Sequence, residues 1–256
     1  MRFNVLGPLE IISDDGQPVH PQAPKVCQVI GLLLLNANET VSTDMLVGEL
    51  WGERPPSSAM TTLQTYVYSA RKTFQRELGA ERARALLITR APGYVMAVDP
   101  DELDITAFER LVDHARTFAS QGRYEPAVRN IDSALQMWRG SVLSNVAAGS
   151  TISGHATCLA EHRLRAIELR IETLMQVGRH RELVADLRSL TVAHPFHEWF
   201  HEQLIRALSR SGRRAEALRS VRELRVLLAE ELGLEPSEDV QRLQFEVLAG
   251  TAASVA

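Results

Sequence analysis

Apolar and polar positions alternate along the first part of the chain and then repeat at helical spacing. Residues 1–23 alternate through RFNVLGPLEII, turn at Asp14-Asp15-Gly16 and continue as QPVH, which predicts short strands. From Pro24 onward apolar residues recur every three or four positions, and proline suits the first turn of a helix. The sequence therefore predicts a first helix that ends near Asn36 and Asn38, with an apolar stripe formed by Val26, Val29, Ile30, Leu33 and Leu34.

Two more helices and a hairpin are predicted to follow. Ser42 is a suitable N-cap for a second helix, whose predicted buried face comprises Leu46, Val47, Leu50 and Trp51. The run GERPP ends that helix, and Ser57 or Ser58 can cap a third one that continues to about Leu78. The β-like stretches LLITR and YVMAV are then joined by Ala91-Pro92-Gly93. This order of elements predicts an α+β winged helix-turn-helix domain over residues 1–98.

The predicted third helix has one apolar face and one polar face. At 100° per residue the apolar face comprises Leu63, Val67, Ala70, Phe74 and Leu78. The opposite side carries Thr61, Thr65, Tyr68, Lys72 and Arg76, flanked by Gln64, Ser69 and Arg71, and no carboxylate occurs before Glu77. Cationic side chains neutralise phosphates, whereas amides and hydroxyls can contact base edges. An ordinary solvated helix face remains the alternative for this helix taken alone.

These side chains give the predicted DNA contacts. We predict that Arg71, Lys72 and Arg76 contact phosphates. Groove and base contacts are predicted for Thr61, Gln64, Thr65, Tyr68 and Ser69. Arg90, next to the hairpin turn, is placed where a wing could reach a minor groove or a phosphate. Tyr94, beside Gly93, is expected to pack against the helices instead.

The second part of the chain, residues 104–250, is predicted to be an all-α, tetratricopeptide-like helical-repeat domain. A Gly-Arg turn at Gly122 recurs at Gly178 and Gly212, and the last two copies are 34 residues apart. The first two are 56 apart, and the Gly- and Ser-rich segment 140–156 is the natural candidate for the difference. Stacked helix pairs leave grooves that bind proteins more often than they catalyse. The tail AGTAASVA is predicted to fray.

Composition places few further limits. The chain has 256 residues and a net charge of −4, but residues 1–98 balance nine basic against nine acidic side chains. Any basic surface on the first domain must therefore be local. No apolar run is long enough to cross a bilayer and no signal peptide is recognisable, so a cytoplasmic protein with no membrane partner is expected. Cys27 and Cys158 are predicted to be buried thiols and not a disulfide framework.

The run His197-Glu198-Trp199-Phe200-His201 matches the zinc-binding pattern H-E-x-x-H. A catalytic zinc needs a third protein ligand, and no histidine follows His201. Phe196, Phe200, Leu204 and Leu208 instead form a stripe typical of a core helix. Phosphate-loop, nucleophile-elbow and dinucleotide patterns are also missing. We therefore expect no catalytic residue, metal ligand or cofactor, with a zinc hydrolase as the alternative.

Three stretches of the first domain form a recognisable set: MRFNVLGPLEI, residues 23–74 and ITRAPGYVMAVDPDELD. Together they resemble the DNA-binding domain of the actinobacterial antibiotic regulatory protein (SARP) family. Its specific motifs are Glu49-Leu50-Trp51-Gly52 followed by Pro55-Pro56, and the Thr65-Tyr66-Val67 run before Arg71-Lys72. Residues 194–243, with Glu231-Leu232-Gly233-Leu234-Glu235-Pro236, resemble the bacterial transcriptional activation domain that follows it in that family.

The resemblance implies a transcriptional activator of secondary-metabolite (antibiotic) genes that binds direct repeats near the promoter −35 region. Its implied partners are double-stranded promoter DNA, the RNA polymerase holoenzyme and a second protomer on tandem half-sites. Larger members carry an ATPase domain that this sequence lacks, so nucleotide gating is not expected. A helical-repeat adaptor whose winged domain contacts only protein remains the alternative function.

Overall fold

The computed structural model describes residues 1–21 and 23–250, and it divides into two compact units. The first unit comprises Met1–Gln121 and Arg129–Ile167, and the second comprises Gly122–Val128 and the chain from Glu168 onward. The limits of these compact units differ from the predicted domain boundary near residues 98–104. That boundary stays a prediction. The last residues of the tail predicted to fray, from Thr251, lie outside the described residues. None of the described helices is long and apolar enough to span a membrane.

The first unit begins with an antiparallel sheet of three short strands, as the alternating pattern predicts. The strands are β1 (Arg2–Asn4), β2 (Glu10–Ile12) and β3 (Pro18–Val19). Phe3 pairs with Ile11, and Ile11 pairs in turn with Val19. All three of these side chains are buried, because alternate residues of each strand point to the same face.

Three helices and a second sheet complete the winged domain. The helices are α1 (Pro24–Leu35), α2 (Thr43–Trp51) and α3 (Ala59–Leu78). The second sheet contains β4 (Val41–Ser42), β5 (Leu87–Arg90) and β6 (Gly93–Met96), in the order β4-β6-β5. Ser42 caps α2 as predicted, since its hydroxyl accepts from the backbone N–H of Met45 at 3.1 Å. Ser58 holds the N-cap position of α3 but makes no side-chain cap bond, so that part of the prediction is wrong.

A short helix that was not predicted, α4 (Ala80–Leu86), joins α3 to β5. Its sequence, AERARAL, shows no extended apolar stripe, and of its side chains only Ala83 and Leu86 are buried. Contacts with α3 and β5 therefore stabilise a segment whose own pattern is weak.

The helices of the second half are long, and two of them contribute to both units. After a 3₁₀ turn at Pro100–Glu102 come α5 (Asp104–Ser120), α6 (Tyr124–Gln136) and α7 (Ser150–Gln176). The predicted insert, residues 140–156, is not a loose loop. Leu143 and Val146 are buried in the core of the first unit, and Leu143 N–H donates to the carbonyl of Val5 at 3.1 Å.

Two buried carboxylates hold these segments to the winged domain within the first unit. Asp104, the first residue of α5, accepts from the N–H groups of Val5 and Leu6 at 2.9 Å. Glu49 of α2 accepts at the start of α7 from the N–H groups of Gly149 and Thr151, at 2.5 and 2.9 Å. Burial raises the pKa of Asp104, although both backbone bonds act in the opposite direction. Both carboxylates thus supply the acceptors that buried backbone N–H groups require.

The second unit is a helical repeat, as predicted. Its later helices are α8 (His180–Ala193), α9 (Glu198–Arg210), α10 (Arg214–Leu232) and α11 (Glu238–Ala249). The repeated glycines adopt the left-handed conformation that ends one helix before the next begins, with φ of 72°, 74° and 78° at Gly122, Gly178 and Gly212. After the last two, Arg179 pairs with Glu182 and Arg213 pairs with Glu216, each through two hydrogen bonds.

Two predictions about individual side chains are wrong. Cys158 is exposed on α7 and Cys27 is only half-buried, so the chain does not bury both thiols. Phe196 is 48% exposed because it precedes the first residue of α9, and the apolar stripe of that helix begins at Phe200 instead.

Candidate nucleic-acid interface

Helix α3 has the two faces that the sequence predicts. Leu63, Val67, Ala70 and Phe74 are buried in the core, while Leu78 is half-buried near the end of the helix. The solvent side is an uninterrupted stripe of exposed residues: Thr61, Gln64, Thr65, Tyr68, Lys72 and Arg76. Burial of one side of the helix thus fixes which side is presented to solvent.

The middle of this stripe is available for contact with a ligand. Tyr68 is 67% exposed, and Lys72 forms no hydrogen bond or ion pair with any residue in the described part of the chain. The Thr65 hydroxyl donates to the carbonyl of Thr61 at 3.0 Å, which leaves its lone pairs free to accept. Ser69 is half-buried and lies at the flank of the stripe.

Contacts from α1 and α2 hold α3 in place. The Trp51 and Tyr66 rings stack with centroids 6.2 Å apart, which packs α2 against the half-buried side of α3. Lys25 of α1 donates from Nζ to the Leu50 carbonyl at 2.7 Å, at the C-terminal end of α2. A positive charge there also interacts favourably with the negative end of the helix dipole. These contacts fix the position of α3 within the winged domain.

The β5–β6 hairpin is fixed at its turn. The N–H of Thr43, at the start of α2, donates to the Pro92 carbonyl at 3.1 Å. A Cβ placed on Gly93 would lie 1.8 Å from the carbonyl oxygen of Val41, so β4 leaves no room for a side chain there. Arg90 is exposed at the end of β5, beside the turn, as predicted. Tyr94 is buried, which agrees with the packing role predicted for it.

Arg71 links α3 to the hairpin. Its Nε donates to the Leu87 carbonyl at 3.1 Å, and one terminal nitrogen donates to the Thr89 hydroxyl at 2.7 Å. The guanidinium carbon also lies 5.8 Å from the centre of the Tyr94 ring. These contacts favour a structural role for Arg71, which is to position the hairpin. They make the predicted phosphate contact the less favoured role for this residue.

Arg76 differs from Lys72 in having a neighbouring carboxylate. Its Nε lies 2.7 Å from Oε1 of Glu77, so part of its charge is neutralised within the chain. Both side chains are partly exposed to solvent, where such a pair contributes little stability. Three cations are predicted to contact phosphates, and Arg71 and Arg76 both have partners within the protein. Lys72 is therefore the one whose charge is most available to a phosphate.

The loop between α2 and α3 presents polar groups that the sequence interpretation did not include. Arg54, Ser57 and Ser58 are exposed next to the first turn of α3. Arg54 belongs to the run GERPP that ends α2. A basic residue five positions before the first residue of α3 is the signal that could have added it to the candidates, since the N-terminus of a helix favours phosphates.

The structure does not assemble a metal site at the H-E-x-x-H run. His197 precedes α9, whereas His201 is buried within it and donates from Nε2 to the Pro195 carbonyl at 2.9 Å. Burial also lowers the pKa of His201. Across residues 1–21 and 23–250, no group of three His, Cys, Asp or Glu side chains is arranged to hold a metal ion. His201 therefore serves the packing of the helix.

Two family models match the chain in the order of its predicted domains. Residues 16–96 match the model described as transcriptional regulatory protein, C terminal. Residues 103–248 match the bacterial transcriptional activator domain. The first match contains α3 and the hairpin, so it covers the whole candidate interface.

Individual relatives match across nearly the whole chain. The regulatory protein DnrI of Streptomyces peucetius is 41% identical over 97% of this chain and 92% of its own length. The transcriptional regulator RedD of Streptomyces coelicolor is 33% identical over 97% of this chain and 71% of its own length. The solved structure of Mycobacterium tuberculosis EmbR in complex with a low affinity phosphopeptide matches with a TM-score of 0.90 and 31% identity. That match covers 99% of this chain and 68% of the EmbR chain.

Proposed function

This chain belongs to the actinobacterial antibiotic regulatory protein family of transcriptional regulators, and we propose that it activates secondary-metabolite genes by binding promoter DNA through α3 and the β5–β6 hairpin. The stripe on α3 carries the proposal: an exposed row of hydroxyls, an amide, a phenol and an uncommitted lysine, with no carboxylate before Glu77. A carboxylate within such a row would repel phosphates, and its absence suits a polyanion.

The proposed division of contacts follows exposure and charge. Thr61, Gln64, Thr65 and Tyr68 line the side of α3 that would enter a major groove, with Ser69 at its flank. Lys72 and Arg76 would contact phosphates, and Arg90 would extend from the wing to a phosphate or the minor groove. Arg71 would set the distance between the hairpin and α3 through its bonds to β5. A helix of 20 residues is about 30 Å long and spans the groove readily.

The balanced charge of the winged domain supports binding to tandem half-sites. With nine basic and nine acidic residues in positions 1–98, non-specific attraction to DNA is weak. One copy also offers only a few cations to phosphates. We therefore propose that two protomers occupy direct repeats near the −35 region, so that their contacts add on one duplex.

The helical repeat suits contacts with protein. Its helix pairs present exposed surfaces, and the family model that matches it is named for transcriptional activation. We propose that this domain recruits the RNA polymerase holoenzyme and that the protein acts in the cytoplasm, where the chromosome lies. No catalytic step is part of this function.

Footprinting of host promoter fragments with and without RNA polymerase tests the proposal. We expect protection of two adjacent repeats by the full chain alone, and protection extending over the core promoter only when polymerase is added. Absence of any footprint together with retained polymerase binding would indicate instead a helical-repeat adaptor that contacts only protein. Protection of a single site as strong as that of the pair would contradict the tandem arrangement.

A further inference from the structure

A thiol, an imidazole and a carboxylate lie in line on the surface formed by α5 and α7, within the first unit. The Sγ atom of Cys158 lies 3.8 Å from Nε2 of His162, one helical turn later. On the other side of the same ring, Nδ1 lies 3.7 Å from Oε1 of Glu109. The two neighbours occupy opposite ring nitrogens, an arrangement suited to passing a proton and unsuited to chelating one ion.

We propose that Cys158 is a site of thiol–disulfide exchange with small disulfides that carry carboxylates. Glu109 favours the tautomer of His162 in which Nδ1 bears the proton, which leaves Nε2 free to accept the thiol proton. The thiolate is the nucleophilic form of cysteine. Cys158 is exposed, so a disulfide in solution can reach it.

The exchange is balanced between the two reactants. The thiol proton passes to Nε2 of His162, and the Cys158 thiolate attacks one sulfur of the small disulfide. A new sulfur–sulfur bond forms as the original one breaks, and the electron pair leaves with the departing half as a thiolate, which can take the proton back from His162. The oxidation state of the Cys158 sulfur rises by one as that of the departing sulfur falls by one, so the exchange needs no further oxidant.

A cavity next to His162 indicates which chemical groups the small disulfide would carry. It has a volume of about 270 Å³ and is lined by Phe108, Glu109, Val112, Asp113, Arg116, His162 and Arg165. Arg116 is paired with Asp113 at 2.9 Å, and Glu109 faces His162. Arg165 is exposed and forms no ion pair with any residue that the structure describes. This uncommitted guanidinium would favour a carboxylate on the incoming disulfide.

The chain contains its own control thiol. Cys27 is half-buried in α1, and burial raises the pKa of its thiol. Desolvation therefore disfavours the thiolate of Cys27, and no imidazole among the described residues forms a hydrogen bond with its thiol. The two cysteines should differ sharply in rate when both meet the same reagent.

Stopped-flow reaction of the full native chain with Ellman's reagent, an aromatic disulfide with two carboxylates, tests the proposal. One equivalent should react roughly tenfold or more faster than the second at neutral pH. The fast phase should be absent in Cys158→Ser and slowed about tenfold in His162→Gln. Arg165→Gln should slow Ellman's reagent but leave uncharged dithiodipyridine unaffected, which separates charge recognition from thiol activation.

The same measurements can overturn the proposal. The chain unfolded in urea gives the rate of a cysteine without neighbours, and circular dichroism shows whether each variant is folded. A native Cys158 no faster than the unfolded reference would remove the site. So would a folded His162→Gln variant that reacts at the wild-type rate. Equal slowing of both reagents by Arg165→Gln would remove the preference for carboxylates.

Discussion

The side chain of Glu49 on α2 caps the backbone at Gly149, 100 positions later in the chain. Its two oxygens accept from three N–H groups, those of Gly149, Thr151 and Ile152, at 2.5, 2.9 and 3.2 Å. A Cβ on Gly149 would lie 2.6 Å from the backbone oxygen of Glu49, so the approach requires glycine. The helix-turn-helix and the start of α7 are thereby joined through a buried charge-assisted contact.

Loss of this cap should destabilise the chain strongly. Glu49→Ala leaves three N–H groups of the α7 N-terminus without acceptors, and we expect a decrease of about 3 kcal/mol in the free energy of unfolding. Urea denaturation followed by circular dichroism measures it. Glu53→Ala, at an exposed position in the loop after α2, is the control and should change stability by less than about 0.5 kcal/mol. Equal effects of the two substitutions would show that the cap contributes nothing.

Lys72 and Arg71 are adjacent in sequence but should behave differently in DNA binding. Lys72→Ala should weaken binding similarly on all sequences and reduce the salt dependence by about one unit of slope, since one phosphate contact is lost. Arg71→Ala should lower affinity with little change in slope, because its guanidinium is held by Leu87 and Thr89. Gel-shift titrations over several salt concentrations distinguish the two. Unchanged affinity of Lys72→Ala at every salt concentration would remove it from the interface.

Phe200 should matter far more to the fold than the histidines around it. It is fully buried in α9, and Phe200→Ala should cost roughly 3–5 kcal/mol through the cavity that it leaves. Phe245→Ala is the control, because Phe245 is 71% exposed and should cost less than about 0.5 kcal/mol. His197→Ala should leave DNA binding intact. Stoichiometric tightly bound zinc in the purified protein, measured by elemental analysis, would contradict this account of the histidine pair.

Glu216 should contribute stability that depends on pH. Its hydrogen bonds with Arg213 and Arg188 hold the pKa of the carboxyl at about 2, below its usual 4.5. A depressed carboxyl pKa stabilises the folded chain above the unfolded value, and this stabilisation is lost as the pH falls through the folded value. The difference in unfolding free energy between the wild type and Glu216→Gln should be constant above pH 4.5 and shrink toward pH 2. A difference independent of pH would exclude the ion pairs as its cause.

Local patterns were sufficient to predict the winged domain. The faces of α3, the Ser42 cap and the hairpin each depend on residues close together in sequence, so spacing alone identifies them. The glycines of the repeat belong to the same class, because glycine adopts the left-handed conformation at low cost and therefore marks the end of a helix.

Features that depend on distant residues could not be predicted. Glu49 looks like an ordinary solvated charge on a helix until Gly149 is placed beside it. From sequence, the segment 140–156 is identifiable only as a Gly- and Ser-rich insert, whereas its burial comes from contacts with residues of the winged domain such as Val5. The hydrogen bond from Arg71 to the hairpin could not be predicted either, since the Leu87 carbonyl that it binds lies 16 residues away.

Selection of duplexes from a random DNA library by the full chain tests the central claim most directly. We expect enrichment of two direct repeats. A variant with alanine at five positions of the α3 stripe should enrich no sequence while remaining folded; the positions are Thr61, Gln64, Thr65, Tyr68 and Lys72. Enrichment of the same repeats by the folded variant would contradict the claim that this face reads DNA.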